Sequence, residues 1–105
     1  MVHEIKPDQI AEVLENHPFV ILNFGADWCI DCRRAAPFYA KFSDEYTNVY
    51  FTHTNVDEDN TLRPKYEVAH IPTMIFYRNG KEIDRIVEVQ TPSALKAFID
   101  QCLTA

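Results

Sequence analysis

Phe19-Val20-Ile21-Leu22-Asn23-Phe24-Gly25, followed at once by Ala26-Asp27-Trp28-Cys29-Ile30-Asp31-Cys32, decides how this chain folds. Its first part is a nearly continuous apolar run of branched and aromatic residues, as expected of a strand covered on both faces, and it stops at Gly25. From Cys29 to about Tyr46 the apolar positions Cys32, Ala35, Ala36, Tyr39 and Phe42 recur at three- and four-residue intervals, which predicts a helix, with a kink at Pro37. A pair of cysteines therefore falls where a buried strand hands over to a helix. There Cys29 faces unpaired backbone N–H groups and the positive end of the helix dipole, both of which favour thiolate over thiol, so it is the natural nucleophile. Cys32, one turn inward, is expected to be shielded by the helix and suited to resolving an intermediate. Residues three apart on a helix have Cβ atoms roughly 5–6 Å apart and a disulfide wants about 3.8 Å, so the pair can close if Cys29 sits at the looser helix cap.

Outward from this junction, Met1 to Ile5 reads as a short leading strand. Pro7-Asp8 opens an amphipathic helix with Ile10, Val13 and Leu14 on one side, ending near Asn16. Val49 to Val56 is rich in β-formers and reads as a second central strand. An acidic turn, Asp57-Glu58-Asp59, follows; it lacks the spacing of a calcium loop and is read as solvated or as capping a short helix near Asn60 to Tyr66, limited by Pro64. Thr73 to Tyr77 and Glu82 to Val89 are strand-like runs joined through Asn79-Gly80, the strongest short hairpin signal. Thr91-Pro92 reads as the N-cap and first turn of a last helix with Leu95, Phe98, Ile99, Cys102 and Leu103 on one stripe. The order β, α, β, α, β, α, β, β, α predicts parallel strands linked by crossover helices and then a hairpin: a three-layer α/β sandwich in one domain, residues 1–105.

With 16 acidic and 10 basic residues the net charge is −6, which disfavours nucleic acid or an anionic membrane as partner. No stretch approaches the roughly 20 apolar residues of a membrane span. Three cysteines, two of them in a Cys-x-x-Cys, do not form a secreted disulfide framework, and the expectation is a cytoplasmic monomer whose pair does redox or metal chemistry. A closed zinc site needs four ligands and no second Cys-x-x-Cys or paired histidine is present, so no metal or other cofactor is expected; an iron-sulfur or metal site on Cys29 and Cys32 would require two chains to bridge. A second alternative keeps the fold as a low-turnover redox-sensing or binding module. Cys102, on the last apolar stripe, reads as a small buried hydrophobe, and His3 and His17 carry no motif.

The segment Phe24 to Arg33 resembles the active-site segment of the thioredoxin family. Pro37 matches the proline of that family's active-site helix, Ile71-Pro72-Thr73 its cis-proline loop and Asn79-Gly80 its hairpin turn. The resemblance covers nearly the whole chain and implies the thioredoxin fold, a central mixed sheet of about five strands with four helices. It also implies a protein-disulfide reductase with a redox-active Cys29–Cys32 disulfide, protein disulfides as substrates and thioredoxin reductase as electron donor. Trp28 would lie beside Cys29, Pro72 would be a cis-proline against the pair, and Ile71 would offer its backbone to an extended substrate.

Several positions depart from that family. Asn23 stands where a buried aspartate usually assists proton transfer, and an amide cannot take a proton. His53 replaces the accompanying lysine and is read either as a substitute base, since imidazole titrates near neutrality, or as a plain strand residue. Ile30-Asp31 replaces Gly-Pro; Asp31 adds charge near the nucleophile or simply serves the helix dipole, and Arg33-Arg34 read as a solvated helix face. His70 and, by approximate alignment, Glu88 stand in place of glycines beside the cis-proline loop, which predicts a narrower docking surface and a different or more selective set of substrates.

Overall fold

The computed structural model describes residues 1–105. In chain order the elements are β1 (His3–Glu4), α1 (Ile10–Asn16), β2 (Phe19–Gly25), α2 (Ile30–Glu45), β3 (Tyr50–Asn55), α3 (Leu62–Lys65), β4 (Thr73–Arg78), β5 (Lys81–Val87) and α4 (Pro92–Thr104), with 3-10 turns at Pro7–Gln9 and Val56–Glu58. The strands form one sheet in the order β1-β3-β2-β4-β5. β1, β3 and β2 run parallel, and β4 and β5 are antiparallel to their neighbours. This is the expected element order and the expected mixed five-stranded sheet.

The period-2 alternation of the central strands divides the core into two halves. Val20, Leu22, Phe24, Ile75 and Tyr77 pack with Ile10 of α1 and Leu62 of α3 on one face. Ile21, Phe51, Met74 and Phe76 pack with Ala35, Tyr39 and Phe42 of α2 and with Leu95, Phe98, Ile99 and Cys102 of α4 on the other. A strand buried on both faces needs apolar side chains at every position, which is why β2 reads as an unbroken run. Tyr39 fixes the helix to the sheet: its hydroxyl, fully inside, donates to the carbonyl of Thr52 at 2.6 Å. No helix is long and apolar enough to cross a membrane.

Local signals ended the elements where turn chemistry requires. Asn79 and Gly80 both have positive φ, 50° and 79°, as a type I′ hairpin turn demands. Thr91 Oγ1 accepts from Ala94 N and Pro92 takes the first turn of α4. Other boundaries moved. β1 is only two residues long, because Pro7 soon removes a ladder donor and turns the chain into a 3-10 turn in place of the first helical turn. α3 is a single turn, and the acidic segment before it is itself folded, with Asn55 accepting from Asp57 N and Asp59 accepting from the N–H and hydroxyl of Thr61. β5 stops at Val87, since Glu88 adopts a left-handed φ of 52°. Ala36, expected on the buried stripe of α2, is exposed.

Candidate active site

β2 ends at Gly25 and three residues later Cys29 becomes the N-cap of α2, with extended backbone angles. Its Sγ accepts the N–H of Cys32 at 3.2 Å, one of the donors that a helix start leaves without a backbone partner. The same sulfur lies 3.7 Å from the carbonyl oxygen of Ile71, which accepts its thiol hydrogen. The Ile71–Pro72 peptide is cis, as the resemblance implied. Ile71's own N–H donates to no backbone or side-chain acceptor. Trp28 and Ile30 flank Cys29 as exposed apolar side chains, 62% and 64% accessible.

The relative cover of the two cysteines is the reverse of the sequence expectation. Cys29 is buried, at 7% accessible, packed with Ala26, Val56 and Ile71, whereas Cys32 is half-buried. Gly25 lets Cys32 and His53 approach the end of β2 closely: a Cβ built on it would stand 3.1 Å from both Cys32 Sγ and His53 Nε2. Cys32 opens sideways into a cleft of about 470 Å³ that Asn23, His53, Glu4, Asp27 and Arg33 also line. Burial still dominates the Cys32 thiol and pushes it up to about 12, with the Cys29 hydrogen bond adding to the rise.

Of the departures from the family, Asn23 and His53 face each other across the β2–β3 register, and both line the cleft beside Cys32. Asn23 is buried and its Oδ1 has no hydrogen-bond partner. His53 Nδ1 lies 2.8 and 3.0 Å from the two carboxylate oxygens of Glu4. Glu4 was not singled out in the sequence; the β1–β3 register, which sets it opposite His53, is what brings it in.

Asp31 does not stand as a free charge. Arg34 Nη1 donates to it at 2.9 Å and also to Gln90 at 2.7 Å, so Arg34, exposed as a solvated helix face requires, also ties α2 to the loop before α4. His70 and Glu88 meet at the exposed rim, Nδ1 to Oε1 at 3.8 Å, while Glu88 N donates to Pro72 O at 2.8 Å. Asp57, read only as part of an acidic turn, accepts the indole N–H of Trp28 at 2.9 Å. That contact has a topological signal, since parallel pairing of β2 and β3 sets Gly25 opposite Asn55 and so ends both strands together.

Cys102 lies in the core of the α2–α4 layer and takes no part in the site. His3 and His17 stack on Tyr50 with ring centroids 4.2 and 3.8 Å away. No group of three or more His, Cys, Asp or Glu side chains is arranged to hold a metal ion.

Against known proteins, the thioredoxin family model matches residues 1–101. Thioredoxin-1 of Saccharomyces cerevisiae is 38% identical over 100 residues, covering 94% of this chain and 96% of the yeast protein. Thioredoxin H5 of Oryza sativa subsp. japonica is 43% identical over 78 residues; the match spans 74% of this chain but only 58% of the rice protein. A solved structure of Plasmodium falciparum thioredoxin superposes with a TM-score of 0.87 at 31% identity, covering 94% of this chain and 97% of that one. By family model, relatives and fold, this chain belongs to the thioredoxin family, whose members are thiol-disulfide oxidoreductases.

Proposed function

We propose that this chain reduces protein disulfides, with Cys29 as nucleophile and Cys32 as resolving thiol. The observation that carries the reading is the position of Cys29 Sγ, at the N-cap of α2, accepting a helix N–H and lying against Ile71 of the cis Ile71–Pro72 peptide. In the first step the Cys29 thiolate attacks one sulfur of a substrate disulfide and the other leaves as thiolate. In the second, Cys32 displaces the remaining substrate sulfur from Cys29. The substrate gains two electrons and the chain is left with a Cys29–Cys32 disulfide.

The unpartnered N–H of Ile71 suits an extended substrate segment, which would add to the site by backbone pairing, and the apolar faces of Trp28 and Ile30 provide contact area around the sulfur. The exposed contact of His70 with Glu88, in the loop that meets Pro72 O, supports a narrower docking surface here and so a restricted set of substrate proteins. Asn23, Asp31 and His53 tune the pair. Thioredoxin reductase returns the disulfide to the dithiol, and the chain acts as a cytoplasmic monomer.

A redox titration of the purified protein, with capture of targets by Cys32→Ser, tests this reading. The wild type should show one reversible two-electron couple and the variant should hold partner proteins in mixed disulfides through Cys29. Absence of the couple together with an empty variant refutes it. Reduction of insulin and many unrelated disulfides at the rates of a general thioredoxin would refute the restricted substrate set while leaving the chemistry intact.

A further inference from the structure

Cys32 can attack the mixed disulfide only after losing its proton, and its surroundings oppose that loss. Asn23, the buried polar residue of the cleft, is an amide whose Oδ1 has no partner. The Arg33 guanidinium has only donors to offer, and the Tyr39 hydroxyl is committed to Thr52 O. Three groups lining the cleft can accept a proton: Glu4, whose carboxylate is engaged by His53 Nδ1, Asp27 from the turn after β2, and His53 from β3. Geometry favours His53. Its Nε2 and Cys32 Sγ each lie 3.1 Å from the point that a Gly25 Cβ would occupy, so no more than twice that distance separates them and no side chain of Gly25 stands between.

The remote nitrogen completes the arrangement. A carboxylate only accepts, so the Glu4 carboxylate at 2.8 and 3.0 Å requires hydrogen on Nδ1; in the neutral ring the lone pair is then on Nε2, the ring nitrogen that shares the Gly25 Cβ position with Cys32 Sγ. We propose that His53, held in this tautomer by Glu4, accepts the proton of Cys32 as Cys32 resolves the mixed disulfide. This rests on the proposed role of Cys32 as the resolving thiol.

The step balances as follows. The Cys32 S–H bond breaks and its proton passes to His53 Nε2, giving an imidazolium beside the Glu4 carboxylate. The Cys32 sulfur forms a bond to Cys29 Sγ, the Cys29–substrate S–S bond breaks, and the electron pair leaves with the substrate sulfur as thiolate. The imidazolium then returns its proton to solvent through the open cleft. His53 acts on a reacting atom; Glu4 is a positioning residue. The charged and titratable groups lining the cleft with His53 are Glu4 from β1, Asp27 from the β2–α2 turn, and Cys32, Arg33 and Tyr39 from α2.

The test separates the two thiol steps with a substoichiometric aromatic disulfide, dithiobis-nitrobenzoate, mixed with the reduced protein in a stopped-flow spectrometer from about pH 6 to about pH 9. Attack by Cys29 releases the first nitrothiobenzoate and resolution by Cys32 releases the second. The wild type should show a second phase whose rate rises with pH and then levels. His53→Gln should leave the first phase within twofold and slow the second by about 100-fold at neutral pH, the lower range for a positioned proton acceptor, with a rate now proportional to hydroxide throughout. Glu4→Gln, at a side chain 67% exposed on an edge strand, folds regardless of what His53 tolerates. It should slow the second phase by about tenfold, since the imidazolium formed in the step then has no carboxylate beside it and the ring is no longer held in one tautomer. A second phase within twofold of the wild type in either variant overturns the proposal, as does the same slowing in Asp27→Asn. Failure of the wild type to release the first equivalent, or release of both by Cys32→Ser, overturns instead the reading on which it rests.

Discussion

Replacing Gly25 with alanine adds one methyl group where strand, helix and imidazole meet. The new Cβ would stand 3.1 Å from Cys32 Sγ, 3.1 Å from His53 Nε2 and 3.6 Å from Cys32 Cβ; ordinary contact begins at about 3.5 Å. Neither close neighbour yields freely. Cys32 belongs to the first turn of α2, which Tyr39 fastens to Thr52 O, and the His53 ring is held by Glu4. Overpacking of this kind costs about 1–3 kcal/mol. Opposing it, alanine stiffens the unfolded chain and returns about 0.4–1 kcal/mol, because Gly25, unlike Gly80, does not need a positive φ. Overpacking wins, with a net loss of about 1–2 kcal/mol, equivalent to roughly 4–8 °C in Tm for each kcal/mol in a domain of this size. Urea denaturation of the dithiol form at constant pH measures it. In a His53→Ala background one of the two clashes is gone and the same alanine should cost less, a non-additivity expected only for neighbours. An unchanged or higher midpoint for Gly25→Ala, with unchanged m-value, refutes the idea that this space is filled to its limit.

Stability should also fall in alkali in a manner that depends on redox state. Burial raises the Cys32 thiol from 9.0 to about 12 and the Tyr77 hydroxyl from 10.0 to about 12. A raised native pKa contributes stability that is present below the unfolded value and lost as pH climbs toward the native one. The dithiol protein therefore weakens from about pH 9, and more steeply than the disulfide form, which has no Cys32 thiol to titrate; parallel urea midpoints from about pH 7.5 to 10.5 would contradict this. Cys102 is buried and its thiol is pushed up to about 11, chiefly by that burial, so iodoacetamide at about pH 8 should modify it only once denaturant opens the α2–α4 layer, as peptide mass spectrometry can verify. Native-state modification of Cys102 as fast as of Cys29 would show that this layer opens. The Trp28–Asp57 bond lies at the surface, so a double-mutant cycle with Trp28→Phe and Asp57→Asn should give a coupling below about 1 kcal/mol; a larger value would mean that the indole is anchored far more firmly than its exposure allows.

What the sequence revealed and what it withheld follow the range of the forces involved. Asn79-Gly80 and Thr91-Pro92 are self-contained: backbone preferences within a few residues decide the turn and the cap, so both were legible. The β2 run was legible for another reason, since burial on both faces leaves no position for a polar residue except Asn23, which lies at the functional end. Glu88 shows the intermediate case. Its identity in place of a glycine was visible, but its consequence, a left-handed backbone costing about 1–2 kcal/mol and a contact with His70, emerges only where β5 ends against the Pro72 loop. The covers of Cys29 and Cys32 were misjudged because helix periodicity describes one helix alone. It contains neither the Ile71 backbone against Cys29 nor the cleft between β1, β3 and α2 that Cys32 lines.

The same distinction separates the two halves of the site. The half around Cys29 is assembled from a helix N-terminus and a cis-proline loop, whose residues are contiguous motifs. The half around Cys32 is assembled from the sheet: Asn23, Gly25, His53 and Glu4 meet because three parallel strands pair in one register. A one-residue slip in β1 would turn Glu4 to the opposite face and leave His53 without its carboxylate. Substitutions on β1 and β3 thus have a route to Cys32 through the cleft, whereas His70 and Glu88 lie outside the residues that line it. If the halves are separable in this way, a chimera with Lys at position 53 and Asp at 23 should change the pH dependence of the second thiol step and leave the set of proteins trapped by Cys32→Ser unaltered. A changed set of trapped partners would show that the two halves are coupled through α2.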